Sequence, residues 1–278
     1  MKNENIFSTQ WSSGQVPTLM VNFQEKKTSL VDTLAITMVA IYLAQLKNNW
    51  KKLWEYNIDK ALDFIEQRAY KHEIEGFALW QFNGFYPADW EDTSFAIYLL
   101  VKNNRLKISE LELLRELLLN NTTEQGTGVW VKDPYSSGNA IRNHWDPTSA
   151  INILRLHYLL ESGEVVSNKV EKFIIKNLSL DQFKKTTLYY TPSVTAFFAQ
   201  RLISDFSCKN SEFILAANNF YKEVITAISE GVLDATSFER ALLNLPTKEN
   251  DNGLIFHHGR RTDVWYGSPV LHELAILL

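Results

Sequence analysis

Residues 87–94 read Pro87-Ala88-Asp89-Trp90-Glu91-Asp92-Thr93-Ser94 and run directly into the apolar stretch Phe95-Ala96-Ile97-Tyr98-Leu99-Leu100. Acidic residues at a helix start accept hydrogen bonds from the unpaired N–H groups of the first turn and suit the positive end of the helix dipole. Two of these three carboxylates would serve that purpose. The third, with an indole among them, exceeds what a cap needs and marks the stretch as a candidate site. The local pattern returns: an aromatic residue, two spacers, then Ser or Thr before an apolar helix. It occurs at Trp90-Glu91-Asp92-Thr93, Trp145-Asp146-Pro147-Thr148, Tyr190-Thr191-Pro192-Ser193 and Trp265-Tyr266-Gly267-Ser268. Such recurrence indicates an internal repeat.

Outward from this stretch, apolar segments at 30–48, 93–104, 147–161, 192–205 and 268–278 alternate with amphipathic ones at 57–72, 108–121, 167–178 and 211–229. The apolar segments are hydrophobic nearly all round, as a helix on the inside of something must be, and the others carry a single stripe. Pro246 stops a further short helix at 235–245. Alternation of apolar and polar residues is nearly absent, so the sequence reads as all-α. It reads as one domain over 1–278 with an irregular segment at 1–27. Helix pairs of this kind bury their inner members by stacking into a solenoid or by closing into a toroid. Long aromatic loops before the inner helices, irregular repeat spacing, and Gly84-Phe85-Tyr86 and Gly128-Val129-Trp130 favour closure.

Bulk composition narrows the function classes. The 278 residues are 45% hydrophobic and carry a net charge of -4, which disfavours nucleic acid as a partner. Cys208 is the single cysteine, so neither an intrachain disulfide nor a cysteine-rich zinc site is expected. The first residues, MKNENIFSTQW, lack the apolar core of a signal peptide. The longest apolar run, Leu30 to Leu46, contains Asp32, Thr33 and Thr37 and is short for a membrane span. A soluble, cytoplasmic protein is expected, with membrane association left open. Neither the P-loop nor the dinucleotide-binding glycine pattern is present.

A Gly-x-aromatic element, a variable loop, then an aspartate and Ser/Thr opening an inner helix resembles the repeat of the terpenoid cyclase and protein prenyltransferase toroids, including squalene–hopene cyclase-type repeats. The resemblance covers residues 75–278. Asp89-Trp90-Glu91-Asp92-Thr93-Ser94 is similar to the D-x-D-D-T-A signature of class II, protonation-initiated terpene cyclases. The resemblance implies an (α/α)5-6 toroid, a double ring of inner and outer helices. It also implies acid-initiated cyclisation of an isoprenoid, with Glu91 or Asp92 as proton donor beside Asp89. Glu91 stands where the family has its middle aspartate. The family sets its pocket between two helical domains; with one domain, the pocket is expected at the toroid mouth or at an interface with a second copy or partner subunit.

In that register one rim would gather Asp89, Glu91, Asp92, Arg142, His144, Trp145, Asp146, Tyr189, Tyr190, His257, His258, Arg260, Arg261, Asp263, Trp265 and Tyr266. A buried carboxyl beside other carboxyls keeps its proton, as alkene protonation requires. His257 or His258 would partner its second oxygen. Trp90, Trp145, Tyr190 and Trp265 would offer π faces to a carbocation. Arg260 and Arg261 suit a diphosphate, which would call for Mg2+, and Asp89, Glu91 and Asp92 are the carboxylates that would hold it. Asp146-Pro147 reads first as an N-cap followed by proline in the first turn. Two alternatives stay open: a carbohydrate-active toroid, since sugars also stack on Trp and Tyr and need two carboxylates, and a non-catalytic binding module. The apolar end Leu274-Ala275-Ile276-Leu277-Leu278 is expected to be buried in the toroid or against another subunit.

Overall fold

The computed structural model describes residues 11–46, 50–71, 78–81, 87–131, 143–187, 189–247, 254–257 and 263–278. The described chain is 60% helix, in eleven α-helices, and 11% strand. The all-α expectation therefore holds in its coarse form, mainly helical, and is corrected by a small antiparallel sheet. Contacts divide the chain into two compact units: 1–68, 188–197 and 224–278 form one, 69–187 and 198–223 the other.

The first unit contains the sheet, in the order β2 (Lys27–Val31), β1 (Thr18–Asn22), β8 (Val264–Gly267), β7 (Leu254–His257). The expected irregular segment 1–27 is thus corrected at β1. Thr18-Leu19-Met20-Val21-Asn22 is β-prone, and it pairs with β2 through a turn where Asn22 Oδ1 accepts Glu25 N–H at 3.0 Å and Lys26 takes φ 49°. Each strand is only four or five residues long, too short for alternation to register in sequence. Around the sheet, α1 (Leu34–Leu46) packs on α2 (Trp50–Gln67) and on α11 (Pro269–Ile276), which also meets α10 (Ser237–Leu242). Every residue of α1 from Leu34 to Ala44 is buried. Of the chain end, Leu274 and Ala275 are buried while Ile276, Leu277 and Leu278 are exposed.

The second unit is built on α3 (Trp90–Lys102) and α5 (Pro147–Leu159), which pack on one another. Thr93–Leu100 of α3 and Pro147–His157 of α5 are buried without interruption. Against them, α4 (Glu112–Asn121) buries only Leu114, Leu118 and Asn121, and α6 (Glu164–Asn177) buries Ser167, Val170, Glu171, Ile174 and Asn177. That three-to-four spacing is one helical face. A hairpin of β5 (Thr122–Thr123) and β6 (Gly126–Thr127) and the short α7 (Leu180–Thr186) complete the connections, with a small ladder of β3 (Tyr70–Lys71) and β4 (Ala78–Leu79). Helices α8 (Pro192–Phe206) and α9 (Ser211–Ser229) have residues in both units.

Trp90, the first residue of α3, is fully buried, and its Nε1–H donates to Asn121 Oδ1 of α4 at 3.3 Å. Its place is in the core. Trp90→Ala is expected to cost about 3–5 kcal/mol, seen as a lowered urea midpoint. Near the far end of α3 and α5, Arg155 donates from Nη1 to Asp205 Oδ2 at 2.7 Å, and Arg201 donates to Asp205 Oδ1 at 3.1 Å. The Arg155 guanidinium lies 4.5 Å from the Tyr98 ring centroid.

Candidate active site

The local sequence explains why three acids collect at the start of α3. Asp89 takes an extended conformation and caps the helix, Oδ1 accepting Asp92 N–H at 2.7 Å. Capping by Asp89 starts α3 at Trp90, earlier than the apolar run suggested. The start is also stitched by backbone. Asp89 N–H donates to Trp80 O at 3.1 Å, Trp90 N–H to Val129 O at 2.7 Å, Val131 N–H to Ala88 O at 3.1 Å and Val129 N–H to His144 O at 2.9 Å. Thr93 Oγ1 meets Trp80 on the other side, accepting its N–H at 3.0 Å. This ladder ties the segment before α3 to the segment before α5.

Gly128 makes the ladder feasible. A Cβ there would lie 2.5 Å from the Asn143 side-chain carbonyl. That amide accepts Trp130 N–H and donates to Trp130 O, and it also accepts His144 N–H. Gly128→Ala is expected to destabilise by about 1–3 kcal/mol through this crowding, read in the thermal midpoint.

Asp89 and Asp92 are 4% and 6% exposed, so both carboxyls are withdrawn from water. Burial pushes Asp89 well above its ordinary value, and the neighbouring Asp92 and Glu91 push it further. Burial, then Glu91, pushes Asp92 up to about 8. The Asp92 N–H that Asp89 accepts works the other way on Asp89, but does not outweigh burial and the neighbouring carboxyls. The pair thus keeps a proton at neutral pH.

Glu91 faces α5. Ser149 Oγ donates to its Oε2 at 2.5 Å and Asn152 Nδ2 to its Oε1 at 3.1 Å. Asp146 caps α5, Oδ1 accepting Thr148 N–H at 2.9 Å and Ser149 N–H at 3.2 Å, while Oδ2 accepts the Thr187 hydroxyl at 3.3 Å. It has the N-cap part expected of Asp146-Pro147, and it aims Ser149 at Glu91. Asp89, Glu91, Asp92 and Asp146 therefore belong to one connected region of the second unit.

The remaining described candidates belong partly to the second unit and partly to the first. His144 is half-buried, edge-on to Trp130 at 5.7 Å, and its pKa is lowered by burial against a smaller opposing effect of Asp146. Trp145 is half-buried, with an Nε1–H that finds no acceptor among the described residues. Tyr189 and Tyr190 precede α8 in the first unit, Tyr190 buried. Trp265 and Tyr266 do precede a helix, α11, which Ser268 caps, and they do so as strand residues of β8, where Val264-Trp265-Tyr266 pairs with β1 and β7. His257 ends β7 opposite Trp265. Arg142, His258, Arg260 and Arg261 lie outside the described residues.

Among the described residues no group of three or more His, Cys, Asp or Glu side chains is arranged to hold a metal ion. Asp89 is committed to the helix cap and Glu91 to Ser149 and Asn152 of α5, so these residues do not fit Mg2+. No described helix is long and apolar enough to cross a membrane. Ser149 and Asn152 were not apparent as site residues in the sequence. Their signal was a polar stripe, Ser149, Asn152 and Arg155 at intervals of three, inside an otherwise apolar helix. Comparison of the chain with protein-family models and with curated proteins finds no match.

Proposed function

We propose that the start of α3 is the acid site of a class II terpene cyclase-like protein, in which the Asp89–Asp92 pair delivers a proton to an alkene of a prenyl chain. One observation carries this reading: two buried carboxyls at one helix start, joined through the Asp92 N–H that Asp89 accepts, which burial and neighbouring carboxyls push towards the protonated form. In the step, the carboxyl O–H bond breaks and the π pair of the alkene forms the new C–H bond. The cation left on the adjacent carbon is captured by a second alkene, closing a ring, and loss of a proton from the product cation restores the acid. Glu91, whose two oxygens each accept a hydrogen bond, orients the site and places negative charge beside the pair. Trp145, in the same unit as the pair, is the proposed π face.

The toroid belongs to the same proposal. Helices α1, α3, α5, α8 and α11 would form the inner ring and α2, α4, α6 and α9 the outer. Uninterrupted burial in α1, α3 and α5, against single buried faces in α4 and α6, supports it. A second reading, a carbohydrate-active α/α toroid, is favoured by the polar grip of Ser149 and Asn152 on Glu91, which suits a hydroxylated ligand better than a hydrocarbon.

The test is product formation from farnesyl and geranylgeranyl compounds, with and without diphosphate, beside a thermal-shift titration that includes oligosaccharides. Cyclic product from the wild type, absent with Asp92→Asn, supports the cyclase reading. Stabilisation by a sugar alone, with no prenyl product, replaces it with the second.

A further inference from the structure

We infer that the seam between α3 and α5 receives a hydroxyl group of the ligand, held among Glu91, Ser94 and Asn152. The inference rests on reading the start of α3 as a ligand site and deepens it by naming the ligand's polar group. The first observation is the orientation of Asn152. Its Nδ2 donates to Glu91 Oε1 at 3.1 Å, and a carboxyl oxygen there requires the nitrogen end of the amide. The amide oxygen is therefore fixed at the same end of the side chain, beside Glu91. Asn152 is 2% exposed, and its Oδ1 accepts no hydrogen bond.

The second observation is independent of the amide. Ser94 is fully buried, and its Oγ also makes no hydrogen bond. It follows Glu91 by three residues on α3 and so shares the face that Glu91 turns to α5. Two orphaned polar atoms thus lie within one turn of the same carboxyl. A buried polar group without a partner costs about 1–3 kcal/mol, a cost that a polar ligand group in the seam would relieve.

A hydroxyl answers both at once, donating to Asn152 Oδ1 or Glu91 and accepting from Ser94 Oγ. A hydrocarbon answers neither. A phosphate or carboxylate has no proton for Asn152 and is repelled by Glu91. An ammonium would meet Glu91, but it has no lone pair to accept the Ser94 proton, and burying a charge costs more than burying a hydroxyl.

Calorimetric titration of matched pairs tests this: geranylgeraniol with its methyl ether and with geranylgeranylamine, and maltose with its fully O-methylated form. The expected result is that, in at least one of the two chemistries, the hydroxyl compound binds wild type at least tenfold more tightly than its O-methyl counterpart. Geranylgeranylamine should bind no better than the alcohol. Ser94→Ala and Asn152→Leu should each bring the hydroxyl preference within about twofold. Ser94→Ala removes only the orphaned hydroxyl and keeps the test independent of any folding defect in Asn152→Leu. Equal affinity for both members of each pair overturns the inference, as do tighter binding of the amine, a preference that survives Ser94→Ala, and binding of neither hydroxyl compound. Binding confined to the maltose pair defeats the isoprenoid reading and leaves the hydroxyl seat standing.

Discussion

Asp92→Asn is expected to lower turnover of a prenyl substrate by about 10²–10⁴-fold, the range a positioned general acid contributes. The amide keeps the shape of the side chain but has no acidic proton to give. The wild-type rate should be level at neutral pH and fall as pH rises through about 8, where Asp92 loses its proton. Stability should follow the same proton. A carboxyl whose pKa is raised by folding binds more protons in the folded state, so its stabilising effect is complete at acid pH, below the ordinary carboxylate value. That effect is lost as pH climbs towards about 8. Urea midpoints should therefore decline across that window in the wild type and decline less in Asp92→Asn. Turnover unchanged by Asp92→Asn would remove the acid from the account.

Asp205→Ala is expected to cost about 3–5 kcal/mol, because it strands a buried cation. The side chain of Arg155 is fully buried and that of Asp205 is 6% exposed, whereas Arg201, the second partner, is 32% exposed. Arg201 has access to water when Asp205 is removed, and Arg155 has none. Its stacking on Tyr98 offsets only part of the loss. Denaturant unfolding of Asp205→Ala, with the double variant Arg155→Met/Asp205→Leu, separates the two contributions. The double variant should recover most of the stability, since replacing a buried pair by apolar residues is often neutral. A loss from Asp205→Ala below about 1 kcal/mol, the size of an exposed pair, would contradict this.

The helices were the legible part of this fold. Burial all round α1, α3 and α5 and burial on one stripe in α4 and α6 follow from periodicity, which is a property of neighbouring residues. Ser211–Ser229 matches its expected span because its apolar spacing is unbroken. The sheet was not legible. β1 pairs with β8, about 240 residues away, and no local pattern in four or five residues reports such a partner. Within the site, the acids of α3 could be read as unusual in number, but their roles could not be separated. Asp89 is set apart by its cap on Asp92 N–H, and Glu91 by Ser149 and Asn152, some 60 residues on. Asp146 was legible as a cap since Asp followed by Pro is a local signal. Trp265 and Tyr266 matched the aromatic pattern of the helix starts, yet their β-prone neighbours place them in a strand.

The proposed chemistry requires that the Asp89–Asp92 pair hold a proton at neutral pH. Carbon-13 NMR of protein labelled at the aspartate carboxyl carbons tests it without a substrate. The expected result is a carboxyl resonance that remains in its protonated position through pH 7, titrates near 8, and is lost or shifted in Asp92→Asn. A spectrum in which every aspartate has ionised by pH 6 would contradict it.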